Sequence, residues 1–385
     1  MLSVVQTVMS LDRESGGPAQ VVPQLADALV DVGCAVSLVY VDSLRAGDAV
    51  VPAKAATAPA HALRIGGRAL WSNDFARSIE RSLPARGPRL IHDNGLWGYT
   101  NFIAASYAAK HGIPLVISPH GMLEPWALSY KARKKRIASA LYQRRLLESA
   151  AMFVVSADSE AESVRRTGLK QPIAIVPAGV PLPETVAKHA PTKAQRRMLF
   201  MSRIHPKKGL AQFVDAWRVA RQPGWKVVVA GPDEGGHQAE IQQLVSSHRL
   251  EADFEFPGPV AGEQKRRLFE SADVFVLPTF SENFGVVIAE ALSYGIPVLT
   301  TRGTPWAVLE RINAGWWVEP DAAGIARGLR AALSTTVEER SSMGRSGRSL
   351  ITRDFGWPMA GQKTYDAYAW LLGEQQVRPS HVHLS

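Results

Sequence analysis

One cysteine, Cys34, stands in 385 residues. That excludes an internal disulfide and any cluster of thiolate metal ligands, and it fits a reducing compartment. Its context, Gly33-Cys34-Ala35-Val36, runs into an apolar strand, so the thiol reads as a small buried hydrophobe and not a nucleophile. No stretch of about 18 apolar residues occurs, which removes a membrane-crossing helix from consideration. The opening Met-Leu-Ser-Val-Val-Gln-Thr-Val lacks a basic head and a long apolar core, and reads as a first strand instead of a signal peptide. The sequence contains no Gly-x-Gly and no Walker pattern, so the dinucleotide fingerprint of a dehydrogenase and the phosphate loop of the usual ATPases are both missing. Internal repeats and low-complexity tracts are missing as well.

What is present is the composition of a globular protein. Hydrophobic residues make up 46% and charged residues 21%, and the length suits two domains better than one. The net charge of +9 favours acidic partners. The densest basic run holds Lys131, Arg133, Lys134, Lys135 and Arg136, then Arg144 and Arg145, with Ile137 and Leu141 at helical spacing between them. It reads as an amphipathic basic helix, either a solvated face beside a core stripe or an attachment to an anionic membrane surface. Nucleic acid is not expected as a partner, because no recognition motif occurs and Tyr130 and Tyr142 flank the cluster without interleaving it.

Short β-branched runs alternate with helix-like stretches along the whole chain, the pattern of parallel sheets built from βαβ units. In the first half the strands are Val4–Val8, Val36–Val41, Leu90–His92, Pro114–Ser118, Met152–Ser156 and Ile173–Val176. Pro181, Pro183 and Pro191 punctuate a polar stretch without apolar periodicity, which reads as a linker. The alternation then restarts at Met198–Met201, Lys226–Ala230, Phe254–Phe256, Val274–Leu277, Pro297–Thr300 and Trp316–Val318. The expected organisation is an α/β fold of two Rossmann-like domains, 1–182 and 196–354, joined by a linker at 183–195. Residues 355–385 form a last helix, carrying Tyr365, Tyr368 and Trp370, and after Gly373 a frayed tail in which His381 and His383 are incidental.

The most informative segment is Pro278-Thr-Phe-Ser-Glu-Asn-Phe-Gly-Val-Val-Ile-Ala-Glu290. It follows a buried strand and opens a helix, at the edge where open α/β sheets bind ligands. Gly285 allows a tight turn, so the amides of Phe284, Gly285 and Val286 can open the helix as an anion site. Glu282 lies before that terminus, and Glu290 about one turn inside the helix. The segment resembles the Glu-x7-Glu motif of retaining, nucleotide-sugar-dependent glycosyltransferases of the GT-B type, family 4, in which two Rossmann-like domains face each other across a cleft.

Other segments extend the resemblance over nearly the whole chain. Ser15-Gly16-Gly17-Pro18, between the first strand and helix, matches the Gly-Gly loop that lines the family's cleft. Ser118-Pro119-His120-Gly121 matches a His-Gly pair whose histidine bonds the transferred sugar, and Glu124 and Trp126 become candidate acceptor contacts. Arg203-Ile-His-Pro-Lys207-Lys208-Gly209 places two cations after a strand, in the register of the family's donor-phosphate ligands Arg203 and Lys208, with Lys207 the alternative. The turn Pro257-Gly258-Pro259-Val260 resembles the one that binds the base, with Val260 against it. Gly231-Pro232-Asp233 resembles a second turn near the base. Asn283 lies inside the motif, and Glu290 matches the ribose ligand.

The resemblance implies a hexosyltransferase taking a UDP- or GDP-sugar to a glycan or lipid-linked acceptor in cell-surface polysaccharide or lipopolysaccharide synthesis. It would act in the cytoplasm, peripherally at the inner membrane face, with the acceptor on first-domain loops such as 46–68. Retention of configuration is implied, with His120 and Glu282 as the catalytic pair. Asp-x-Asp, which holds the metal of another glycosyltransferase architecture, is absent, so neither cofactor nor metal is expected. Two alternatives remain: a catalytically silent nucleotide-sugar-binding partner and a sugar-nucleotide epimerase of the same architecture.

Overall fold

The computed structural model describes residues 1–12, 16–42, 49–61, 63–65, 68–71, 73–129, 143–187 and 195–385. The basic run at 131–136, with Ile137 and Leu141, lies outside the described residues, as do Ser15, the side chain of Trp126 and part of the 46–68 segment. The chain divides into two compact units, Met1–Gly179 with Trp357–Ser385, and Val180–Gly356. The segment read as a linker begins inside the second unit: Arg348 donates to the Pro183 carbonyl at 2.8 Å and the Ala187 amide to the Tyr294 carbonyl at 2.7 Å.

In chain order the strands are β1 (Ser3–Val8), β2 (Ala35–Val41), β3 (Ala56–Ala60), β4 (Leu63–Ile65), β5 (Arg68–Trp71), β6 (Arg89–Asn94), β7 (Leu115–Ser118), β8 (Met152–Val155) and β9 (Ile173–Ile175). They continue with β10 (Arg196–Met201), β11 (Trp225–Ala230), β12 (Phe254–Gly258), β13 (Val274–Leu277), β14 (Val298–Thr301), β15 (Gly315–Val318) and β16 (Val382–His383). The first unit's main sheet runs β16-β9-β8-β7-β6-β1-β2-β3, parallel except for β16, while β4 and β5 form a separate antiparallel pair. The second unit's sheet runs β12-β11-β10-β13-β14-β15, parallel throughout.

Crossover helices put a layer on each face of a parallel sheet, so its inner strands are apolar at nearly every position. All four residues of β13 and the last four of β10 are buried. Burying a side chain such as Phe275 contributes roughly 1.5–3 kcal/mol. Both sheets reverse their winding beside the first strand of the unit, between β1 and β6 and between β10 and β13. At such a point adjacent strands send their connections to opposite faces and leave a crevice at their carboxyl ends.

Two segments depart from the expectations. The stretch after Gly373 is not a frayed tail: β16 pairs antiparallel with β9, Val382 is buried, and the Ile175 amide bonds the His381 carbonyl at 2.9 Å. A free edge on β9 is what captures so short a strand. His381 is also engaged, its Nε2 lying 2.8 Å from the Lys363 carbonyl. The second is β3, whose Ala-Thr-Ala-Pro-Ala is poor in β-branched residues; as the sheet's edge it tolerates Pro59.

The helix Trp357–Leu371 belongs to the first unit, where it packs on the helix Gly17–Asp31 and buries Tyr368. Truncating the chain after Gly373 removes β16 and uncovers β9, and a fall of several degrees in the melting temperature is expected by calorimetry. An unchanged transition would show that β16 adds nothing to the sheet.

Candidate active site

The loops after β10 and β13 are tied together before any side chain enters the crevice. The Lys207 carbonyl accepts from the Phe280 amide at 2.9 Å and the Thr279 hydroxyl at 3.0 Å. Gly209, at φ 70°, approaches the Pro278 carbonyl so closely that a Cβ would overlap it. Gly231, after β11, is packed in the same way against the Ser202 carbonyl. These contacts bring Lys208 to Glu282, where Nζ and Oε1 form an ion pair with side chains 10% and 14% exposed. A pair so covered is held in one geometry, unlike a solvated surface pair.

Beyond it Gly285, at φ 75°, caps the helix Val286–Ser293, whose first amides have no acceptor within the helix. The turn is braced from behind. Trp306 Nε1–H donates to the Phe284 carbonyl at 2.5 Å, and the Phe284, Trp306 and Phe355 rings pack at a tilt with centroids 5.2 to 5.6 Å apart. Asn283 Oδ1 is buried and has no hydrogen-bond partner, an acceptor that a bound hydroxyl or amide would satisfy. On the next turn Glu290 is 18% exposed and meets Lys265 Nζ at 2.7 Å.

In the first unit the polar cluster gathers at the ends of β6 and β7. His120 follows β7 with φ 50° and Trp97 follows β6 with φ 71°, both in the left-handed region that residues other than glycine occupy uncommonly and a bulky Trp least readily. Strain of this kind persists where the surroundings hold it, and it concentrates at ligand sites. Asn94 orients His120. Its Nδ2 donates to the His92 carbonyl at 3.3 Å, so its Oδ1 accepts from His120 Nε2–H at 2.9 Å. Burial pushes the His120 ring down to about 4, and the neutral ring then presents Nδ1 as an acceptor.

His92 behind it is fixed in the same way. The Ser118 hydroxyl donates to the Val154 carbonyl at 2.9 Å, so His92 Nε2–H donates to Ser118 Oγ at 2.8 Å, and Nδ1 accepts from the Tyr368 hydroxyl. Burial, with the charge of His120 added, lowers His92 to about 3. Asp93 is held by Thr7 at 2.6 Å and Asn101 at 2.9 Å, yet complete burial raises it to about 6. Glu160 braces the histidine loop by accepting from the Gly121 amide at 2.6 Å and the Ser156 amide at 2.9 Å.

The model of the family "Glycosyl transferases group 1" matches residues 183–350, and that of "Glycosyl transferase 4-like domain" matches residues 16–179. The GDP-mannose:cellobiosyl-diphosphopolyprenol alpha-mannosyltransferase of Xanthomonas campestris is 23% identical over 318 residues, 82% of each chain. The chain is a GT-B glycosyltransferase of the family 4 type. Among solved structures, the sucrose-phosphate synthase of Thermosynechococcus elongatus superposes with a TM-score of 0.78 at 18% identity, covering 97% of this chain and 100% of that one. Anabaena Alr3699/HepE in complex with UDP-glucose gives 0.72 at 16% identity, again covering 97% and 100%.

In this glycosyltransferase Lys208 and Glu282 come together, as do Asn283, Phe284, Gly285 and Val286 around the helix terminus. Lys208, not Lys207, carries the ion pair. Arg203 does not join it: the guanidinium is half exposed and pairs with Glu234 at 2.5 Å. Val260 is half-buried just past the end of β12, and Gly16 and Gly17 open the helix Gly17–Asp31, with no atom of the described residues within 4 Å of where a Cβ would stand. Glu124 is buried, its amide bonded to the Gly121 carbonyl at 3.2 Å; Trp126 lies in the short helix Pro125–Ser129. Sequence reasoning missed Lys265, Asn94 and Glu160. Only Asn94 left a signal, the polar run His92-Asp93-Asn94 closing an apolar strand.

Replacing Lys208 by Met strands the Glu282 carboxylate in a mostly covered position, and a loss of about 1–3 kcal/mol is expected in denaturant unfolding. A pH dependence follows from the two histidines. Between pH 6.5 and about 4 the unfolded chain takes up protons that His92 and His120 refuse when folded, so stability falls as pH drops; Asp93 opposes this between about 6 and 3.8. With two groups against one, the melting temperature should fall from pH 6.5 to 4, and less steeply in His120→Asn.

Proposed function

We propose that this glycosyltransferase moves a hexosyl unit from a UDP- or GDP-sugar to a glycan or lipid-linked acceptor, with retention of anomeric configuration, in cell-surface polysaccharide or lipopolysaccharide synthesis. One observation carries the reading: the covered Lys208–Glu282 pair lies at the carboxyl ends of β10 and β13, beside a helix terminus and Glu290. A cation, open amides and two carboxylates are what a nucleoside diphosphate sugar needs, since its diphosphate is anionic and its ribose and hexose offer hydroxyl donors.

As the glycosyl bond breaks, the departing diphosphate gains charge, which Lys208 and the amides of Gly285 and Val286 offset. Arg203 adds to this when it leaves Glu234. Glu282, released from Lys208 as the phosphate takes its place, holds the sugar's hydroxyls. His120 Nδ1 accepts from the transferred sugar. The leaving phosphate takes the acceptor's proton on the same face, and no metal is required in this scheme. The named relatives support a nucleotide-sugar donor and differ in its base: one is named for GDP-mannose, and another was solved with UDP-glucose. Attachment to an anionic membrane through Lys131, Arg133, Lys134, Lys135 and Arg136 belongs to the same proposal.

The test is turnover of UDP- and GDP-hexoses with a polyprenyl-diphosphate-linked saccharide, in the presence of chelator, with the product's anomeric configuration read by NMR. Retained configuration and chelator-insensitive turnover of one donor are expected. Nucleotide binding without turnover of any donor would favour the silent binding partner. In Glu290→Ala the affinity for the nucleoside diphosphate should fall about tenfold, whereas Asn94→Leu, which releases the His120 ring, should lower kcat about tenfold at unchanged nucleotide affinity.

A further inference from the structure

We infer that Lys265 is a positioning residue for the nucleotide's ribose: it orients the Glu290 carboxylate toward two adjacent hydroxyls, so that the site selects ribonucleotides over 2′-deoxyribonucleotides. This rests on the donor-site reading above and deepens it. The helix Gly262–Ser271 follows the turn assigned to the base and carries Glu263, Lys265, Arg266, Arg267 and Glu270. Two of its cations are satisfied on the helix itself: Arg266 pairs with Glu263 at 2.6 Å and Glu270 at 2.5 Å, and Arg267 with Glu263 at 2.9 Å. Lys265 turns the other way, to Glu290 on the helix Val286–Ser293, with Nζ 2.7 Å from Oε1.

The side chains are 31% and 18% exposed, covered enough to be ordered and open enough to meet a ligand. Lys265 also lies over the Phe269 ring, 5.9 Å from its centroid, and Phe269 stacks on Tyr294 at 4.9 Å, just past the end of the Glu290 helix. The ammonium is therefore held between a carboxylate and a ring face. One N–H···O bond uses one lone pair of a carboxylate that has about four, so Glu290 keeps Oε2 for hydroxyl donors. A carboxylate already fixed in rotamer loses less freedom when a cis-diol arrives. A ligand lacking one of the two hydroxyls leaves that prepared acceptor unpaired, and such sites reject the deficient analogue strongly.

An ion pair that merely joins two helices would affect melting and nothing else. The experiment is calorimetric titration of the full chain with UDP and GDP, and with the 2′-deoxy counterpart of whichever binds, for the wild type, Lys265→Met, Lys265→Arg and Glu290→Gln. The wild type should prefer the ribonucleotide by about tenfold or more. Lys265→Met should cut that preference to within about threefold, Lys265→Arg should restore most of it, and Lys265→Met should add nothing in a Glu290→Gln background. An undiminished preference in Lys265→Met, with Glu290→Gln weakened, overturns the role of Lys265 and leaves the donor site standing. A wild type that binds neither nucleoside diphosphate overturns the donor reading and this inference together.

Discussion

Adjacency of β10 and β13 is the constraint on which the second unit's chemistry depends. They are neighbours in the sheet but far apart in sequence, and the end of the loop after β10 meets the start of the loop after β13. There the Lys207 carbonyl holds Thr279 and Phe280, and Gly209 presses on Pro278. A side chain at position 209 would force the loops apart and separate Lys208 from Glu282. The ion pair is thus a consequence of backbone packing.

Three charged residues of the second unit's candidate site are each paired with a charge of opposite sign. Glu282 has Lys208, Glu290 has Lys265 and Arg203 has Glu234. Covered charges left alone would each cost several kcal/mol, whereas exchanging one partner for another costs only the difference between them. In the proposed donor site, binding is an exchange at Lys208, phosphate for carboxylate, while Glu290 keeps Lys265 on one oxygen and offers the other. Asn283 Oδ1, buried without a partner, is a group with nothing to exchange.

The first unit solves a related problem with neutral groups. His92 and His120 sit too deep to be charged, and each is given one tautomer by a neighbour whose own hydrogen bonds leave no choice: Ser118 for His92 and Asn94 for His120. Tyr368, on the last helix, closes the chain of bonds at His92. The C-terminal segment is therefore part of the first unit's polar interior as well as of its apolar core.

The alternation of β-branched runs and amphipathic stretches determined the α/β class, the strands and the existence of two units, because parallel strands buried on both faces must be apolar along their length. It also determined that His120 and Glu282 lie in loops that follow strands, and Glu290 in the helix that the second of those loops opens. The edges escaped it. β3 lacks strand-forming residues, and β16 is two residues long, so each exists only because a neighbouring strand offers a free edge. Pairings of side chains escaped it for a different reason. Arg203 and Lys208 are five apart and read as one anion site, yet strand order turns one toward Glu234 and the other toward Glu282. Lys265 sits in a helix of charges where nothing local distinguishes it from Arg266 or Arg267. Which cation meets which carboxylate depends on helix rotation and sheet order, and those are properties of the packed chain.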